Sequence, residues 1–241
     1  MKTTYDRIPG TPYGIYQYEN RFRYGMDAVL LSWYARAEKE DVCIDLCSGT
    51  GIVALRHHYI YRPKKTYAIE MQEEMAQLCM RSVVHNGLPN RLHCLAGDFT
   101  RMETSFVPGG VQVVMANPPY IRKGHGKHSP HAQVAMARHE ITMSLNDLFS
   151  FARRVLPSGG RFYMIHRPGR LGEILSLSHA YHLPVKEILP VSSRKGDDPQ
   201  LVLVSCRKDG KADLVLKTPL FVYENDCYTT QMQRIYEGAV R

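Results

Sequence analysis

Three strand-sized apolar runs in the first half of the chain each carry an acid at or shortly past their carboxyl end, and helix-sized stretches separate them. Residues 42–46 lead through Asp45-Leu46-Cys47-Ser48-Gly49-Thr50-Gly51 into a helical stretch. Gly49 and Gly51 let the backbone approach a ligand closely and turn sharply into that helix. Residues 66–69 form a second run ending at Glu70, about 20 residues past the glycines, where an acid can hold ribose hydroxyls. Residues 92–95 form a third, followed by Gly97 and Asp98, a suitable partner for an adenine amino group. Each acid alone reads as a solvated strand terminus. Three at successive strand ends are better explained by a nucleoside ligand. The loop matches neither the phosphate-binding GxxxxGKS/T pattern nor the full dinucleotide GxGxxG.

The same alternation continues along the chain. Strands are expected near residues 42–46, 66–70, 92–95, 111–116, 160–166, 185–190 and 200–206, with helices near 25–36, 51–60, 72–86, 144–156 and 169–181. This pattern specifies an α/β fold: a seven-stranded, mostly parallel sheet covered by helices on both faces, with ligands at the carboxyl ends of the strands. Residues 201–206 read as a closing strand paired antiparallel at an edge. In the tail, residues 219–223 read as extended and 229–236 as a short helix. At 241 residues the chain can bury one large core, and neither a linker nor a repeat divides it. The expected organisation is one domain, with a lead over 1–40, a catalytic core over 41–206 and an extension over 207–241. No apolar run approaches a membrane span, and the six cysteines form no CxxC pair. Cys43 and Cys94 fall on predicted core strands as reduced thiols, so the expected compartment is the cytoplasm, with no membrane partner.

The chemistry is carried by Asn117-Pro118-Pro119-Tyr120, which follows the apolar run 111–116 and therefore sits past a strand's carboxyl end. Two prolines fix φ and remove donors, leaving a stiff loop that accepts hydrogen bonds. The Asn117 side-chain oxygen and the Pro118 carbonyl make two acceptors for the two hydrogens of one planar NH₂, and Tyr120 offers a face for stacking. Such a nitrogen is a poor nucleophile because its lone pair is delocalised. Fixed acceptors on its hydrogens favour the pyramidal, electron-rich form, and one well-placed group of this kind is typically worth about 10²–10³ in rate. The pattern suits methylation of an adenine, cytosine or glutamine amide nitrogen.

The net charge of +8 is uneven: between Arg122 and Gly172 nine Arg/Lys stand against two acids, Glu140 and Asp147. A basic, glycine- and histidine-rich stretch beside Asn117 suggests a polyanionic substrate, and tRNA fits better than a free nucleotide. His125, His128 and His131 have ligand-like spacing but no Cys or acid near them, and no metal is expected.

These residues resemble the bacterial tRNA adenine-N6 methyltransferases that modify adenine 37 of valine tRNA. The likeness includes Arg23-Tyr24-Gly25-Met26-Asp27-Ala28-Val29-Leu30-Leu31, the Asp45–Gly51 loop, Asn117-Pro118-Pro119-Tyr120, Ala137-Arg138-His139-Glu140 and His166-Arg167-Pro168-Gly169-Arg170. The resemblance implies a class I, Rossmann-like methyltransferase. Asp45, Cys47, Gly49, Gly51, Glu70, Asp98 and Asn117 would bind S-adenosylmethionine. Asn117 with the Pro118 carbonyl would grip the target amine, with Pro119 stiffening the loop and Tyr120 stacking on the base. Arg122, Lys123, Lys127, Arg138, His139, His166, Arg167 and Arg170 become candidates for binding the tRNA anticodon stem-loop. The chain departs from the family at residues 189–195, where a His-Pro is expected, and in the acidic pair Asp197-Asp198. Two rivals are a protein-glutamine methyltransferase acting on release factors, which usually carries a helical domain ahead of the cofactor domain, and a non-catalytic RNA-binding module on a degenerate fold.

Overall fold

The computed structural model describes residues 2–20, 23–103, 107, 110–120 and 144–241. Arg122, Lys123, Lys127, Arg138 and His139, with the histidines at 125, 128 and 131, lie outside the described residues.

Strands β3 (Val42–Leu46), β4 (Lys65–Glu70), β5 (Leu92–Ala96), β6 (Val113–Ala116), β7 (Arg161–His166), β8 (Val185–Ser192) and β9 (Leu201–Arg207) build the central sheet in the order β8-β9-β7-β6-β3-β4-β5. All pair in parallel except β9, which is antiparallel to both β7 and β8. Parallel strands covered on both faces read as continuous apolar runs, and all four residues of β6 are buried. Because side chains alternate across a strand, each strand feeds two cores. Cys43, Ala68, Val113, Met115, Tyr163 and Ile165 point to one, shared with α1 (Met26–Tyr34), α2 (Ile52–Tyr61) and α3 (Glu73–His85). Ile44, Leu46, Ile69, Val114, Ala116, Phe162 and Met164 point to the other, under α4 (Leu145–Val155) and α5 (Leu171–Ala180).

Helix α4 shows how the sequence writes such a layer. Ser144 and Asp147 form a capping box that fixes its start. Leu145, Leu148, Phe149, Phe151 and Ala152 then recur at helical spacing and are all buried. Phe149 meets Phe162 edge-to-face with centroids 5.3 Å apart. Burying a side chain of this size stabilises by about 1.5–3 kcal/mol.

An antiparallel hairpin, β1 (Thr3–Arg7) and β2 (Gly14–Tyr18), precedes the sheet. It docks on α3, where Asn86 exchanges hydrogen bonds with both the N–H and the C=O of Gly14. The tail forms short strands β10 (Val215–Leu216), β11 (Leu220–Phe221), β12 (Tyr223–Glu224) and β13 (Cys227–Tyr228), then α6 (Thr230–Tyr236). The buried Arg56 of α2 binds the carbonyls of Pro9, Val29 and Ile235, tying the lead, α1 and α6 into one layer.

The structure corrects three expectations. Among the described residues the sheet has nine strands, because β10 and β11 add in parallel to the free edge of β8; two-residue strands leave no periodicity to read. β9 is not at an edge but between β7 and β8, in keeping with its unbroken buried run from Leu201 to Val204. Cys94 is not a free thiol: it is bridged to Cys79, joining β5 to α3. No helix among the described residues is long and apolar enough to cross a membrane.

Candidate active site

The loop after β3 is shaped by residues in the left-handed region, Cys47 (φ 58°), Gly49 (φ 55°) and Gly51 (φ 91°). It closes with the Gly51 N–H on the Ser48 carbonyl at 2.8 Å, which aims the chain into α2. A Cβ on Gly51 would stand 2.5 Å from Cys79 Sγ, whereas one on Gly49 would meet no atom of the described residues within 4 Å. The Asp45 side chain reaches back under this loop. Its Oδ2 accepts from the Ser48 hydroxyl at 2.6 Å and the Ala54 N–H at 3.2 Å. Its Oδ1 is buried with no hydrogen-bond partner among the described residues. Burial pushes the Asp45 carboxyl up to about 7, against the pull of its two hydrogen bonds. Burial likewise holds the Cys47 thiol far above its ordinary value, so it remains neutral.

Glu70 closes β4 and accepts the Gly49 N–H at 2.8 Å and the Gln72 N–H at 2.9 Å. Asp98 follows β5 and accepts both the N–H and the hydroxyl of Thr100, at 2.9 and 2.6 Å. The three acids therefore stand at the carboxyl ends of neighbouring strands β3, β4 and β5. A buried carboxylate oxygen lacking a donor, an open space at Gly49 and two further acceptors fit a ligand carrying an ammonium and ribose hydroxyls.

Asn117 follows β6, the neighbour of β3 on the other side. Its Nδ2 donates to Asp27 Oδ2 at 3.2 Å, and its Oδ1 accepts from the Tyr120 hydroxyl at 2.6 Å. The Tyr120 hydroxyl also lies 3.0 Å from Asp27 Oδ2. Pro118 is buried and Pro119 exposed. The Tyr120 ring meets His166 edge-to-face at 5.4 Å, and the Arg167 guanidinium lies 5.3 Å from its centroid. Burial, with the Asp27 carboxylate beside it, raises the Tyr120 phenol far above its ordinary value. Nothing in the sequence gives Asp27 a role beyond membership of the Arg23–Leu31 stretch.

Solved structures share this architecture. A predicted O-methyltransferase from Agrobacterium tumefaciens superposes with a TM-score of 0.71 at 23% identity, covering 90% of this chain and 98% of that one. The geranyl diphosphate C-methyltransferase of Streptomyces coelicolor A3(2) superposes with a TM-score of 0.53 at 15% identity, covering 76% and 80%. The fold is that of the class I methyltransferases. In sequence, the chain resembles curated proteins named tRNA1(Val) (adenine(37)-N6)-methyltransferase. One from Porphyromonas gingivalis (strain ATCC 33277) is 25% identical over 191 residues, 77% of this chain and 74% of the relative. One from Aliivibrio salmonicida (strain LFI1238) is 22% identical over 205 residues, 84% of each. No protein-family model matches the chain.

On this class I methyltransferase fold, the sheet's carboxyl edge gathers Asp45, Glu70, Asp98, Asn117, Tyr120, His166 and Arg167. Two of the candidate RNA-binding residues there are engaged within the protein. His166 is 2% exposed, accepts the Arg167 N–H at Nδ1 and packs on Tyr120. Burial, with Arg170 nearby, lowers its pKa to about 4 and keeps it neutral. Arg170 gives its fork to Glu173, at 2.7 and 2.9 Å. Among the described residues no cluster of three or more His, Cys, Asp or Glu could hold a metal.

Proposed function

We propose that this protein is an enzyme that methylates the exocyclic N6 of an adenine in tRNA, at adenine 37 of valine tRNA, using S-adenosylmethionine. The observation that carries the reading is Asn117, fixed past β6 beside the acid-lined cradle of β3, β4 and β5. The relatives' names support the substrate. S-adenosylmethionine supplies an electrophilic methyl group when bound. Asp45 Oδ1 receives an ammonium, Glu70 the ribose hydroxyls and Asp98 an adenine amino group, while Gly49 and Gly51, with Cys47 between Asp45 and Gly49, let the loop close over the ligand. Asn117 Oδ1 and the Pro118 carbonyl accept the two hydrogens of the target amine and direct its lone pair outward. Tyr120 stacks on the base. Anticodon-loop bases are unpaired, so local unstacking costs a few kcal/mol at most, and aromatic stacking returns about 1–3 kcal/mol. The methylated nitrogen is strongly acidic and releases its proton to water. Arg167, with Arg122, Lys123, Lys127, Arg138 and His139, contacts the anticodon stem-loop. The same reading treats residues 1–241 as one methyltransferase domain working in the cytoplasm, where its substrate is.

Transfer of labelled methyl into total tRNA from a strain lacking the gene, followed by nucleoside analysis, tests the proposal. N6-methyladenosine in valine tRNA is the expected product. Label appearing only in protein would move the activity to a glutamine amide.

A further inference from the structure

We propose that Asp27 is a positioning residue of this site: it sets the orientation of the Asn117 amide and gives the Tyr120 hydroxyl an alternative acceptor. The inference rests on the methyltransferase reading and adds a component to it. Asp27 lies in the first turn of α1, and its Oδ1 accepts the Ala28 N–H at 2.9 Å. That oxygen alone would serve the helix terminus, where acids are favoured. The other oxygen instead enters the site and meets both Asn117 Nδ2 and the Tyr120 hydroxyl.

A carboxylate only accepts, so the side of Asn117 that faces it must be the NH₂. The amide cannot flip without setting oxygen against oxygen, and Oδ1 is left for the acceptor role. The Tyr120 hydroxyl has one proton and two acceptors, Asn117 Oδ1 at 2.6 Å and Asp27 Oδ2 at 3.0 Å. Donated to Asn117, that proton takes one of the two lone pairs of Oδ1 and weakens the oxygen as an acceptor for the target amine. Turned to Asp27, it leaves Asn117 Oδ1 to the substrate, and a charge-assisted bond to a carboxylate makes the exchange cheap. Removing Asp27 strands the hydroxyl on Asn117.

A second observation explains the neighbouring glycine. Gly25 has an extended backbone (φ −103°, ψ −176°) that any residue can adopt. A Cβ there would stand 2.7 Å from Asp27 Oδ1 and 3.7 Å from Asp27 Cγ, with no other atom of the described residues beyond its chain neighbours within 4 Å. Gly25 is therefore small in order to let the Asp27 carboxylate fold back.

The test combines turnover on tRNA, S-adenosylmethionine affinity and tyrosine NMR. Asp27→Ala should lower kcat about 10²-fold with cofactor affinity within about twofold. Gly25→Ala, which keeps Asp27 but displaces it, should give a smaller loss of the same kind. The deciding variant is Asp27→Ala with Tyr120→Phe. With no hydroxyl left to occupy Asn117 Oδ1, it should turn over several-fold faster than Asp27→Ala alone, which a merely structural role would not produce. Losses that simply multiply, or an Asp27→Ala enzyme as fast as the parent, would overturn the proposal. In protein labelled with ¹³C at the tyrosine ζ carbon, the Tyr120 resonance should shift in Asp27→Asn; no shift would also overturn it. Should the unmodified enzyme methylate no tRNA, the parent reading falls, and the NMR arm still decides the contact.

Discussion

Asn117 stands past β6 with its amide tied to Asp27 and Tyr120, while Glu70 closes β4 with one oxygen on the Gly49 N–H of the cofactor loop and the other on the Gln72 N–H. Their substitutions should therefore separate. Asn117→Ala is expected to lose about 10²–10³ in turnover with cofactor affinity unchanged. Glu70→Ala should raise the cofactor dissociation constant ten- to a hundredfold, as a charge-assisted contact worth about 1.5–3 kcal/mol predicts, with a smaller effect on saturated turnover. Calorimetry with steady-state kinetics checks both. Asp45 adds a pH dependence. Its folded value near 7 lies above the unfolded one of about 3.9. The free protein thus holds this proton to a higher pH, and the associated stability, full below about 4, is lost as pH rises through about 7. A cation seated on Oδ1 favours the charged carboxylate. The thermal shift produced by S-adenosylmethionine should then be larger at pH 7.5 than at pH 6, and Asp45→Asn should remove the difference. The strand-end acids were legible because each lies within three residues of the end of an apolar run. Asp27 was not, since its partners lie 90 and 93 positions away in the chain.

Within the cofactor loop, the two glycines make different demands on their surroundings. Gly51→Ala would force a Cβ to 2.5 Å from Cys79 Sγ at a φ of +91°, so it should lower the melting temperature by several degrees. Gly49→Ala adds a Cβ where no atom of the described residues lies within 4 Å, at a φ of +55°. It should cost the fold only about 1 kcal/mol yet weaken cofactor binding tenfold or more, because the open space is the ligand's. Equal effects of the two on affinity would show that the loop's shape, not its clearance, is what matters. Most elements could be read from periodicity: the helix over Leu145–Val155 and the strand over Arg161–His166 fall close to where the pattern puts them. The position of β9 could not. Its apolar run is the same whether a strand closes an edge or is inserted between two others, and the reversal after β8 that decides the matter carries no local signature.

Across the whole molecule, the positive charge is less concentrated than its sequence density suggests. Arg161 opens β7 at the end away from the site and pairs with Asp41, and Arg153 pairs with Asp209 just past β9 at that same end. Arg154 caps the Phe99 and Met102 carbonyls, and Arg170 is held by Glu173. Of the four, Arg154 beside Phe99 and Arg170 lie towards the site, and both are already engaged. Within the basic stretch from 122 to 172, that leaves Arg167 and the basic residues between 122 and 138 as the candidates for tRNA contact. Each phosphate contact releases counterions and contributes about 0.7–0.9 to the slope of log affinity against log salt. Neutralising Lys123 and Lys127 together should weaken tRNA binding and flatten that slope by about one to two units, with cofactor affinity unchanged. Arg153→Gln removes the same kind of charge from the far end and should leave the slope as it was. Binding measured from 50 to 300 mM salt separates these outcomes. If both variants keep the parent slope, the basic stretch is a solvated face, and the RNA reading must stand on sequence similarity. If Arg153→Gln flattens it as much as the lysine pair does, the tRNA lies across a different face from the one that carries Asn117.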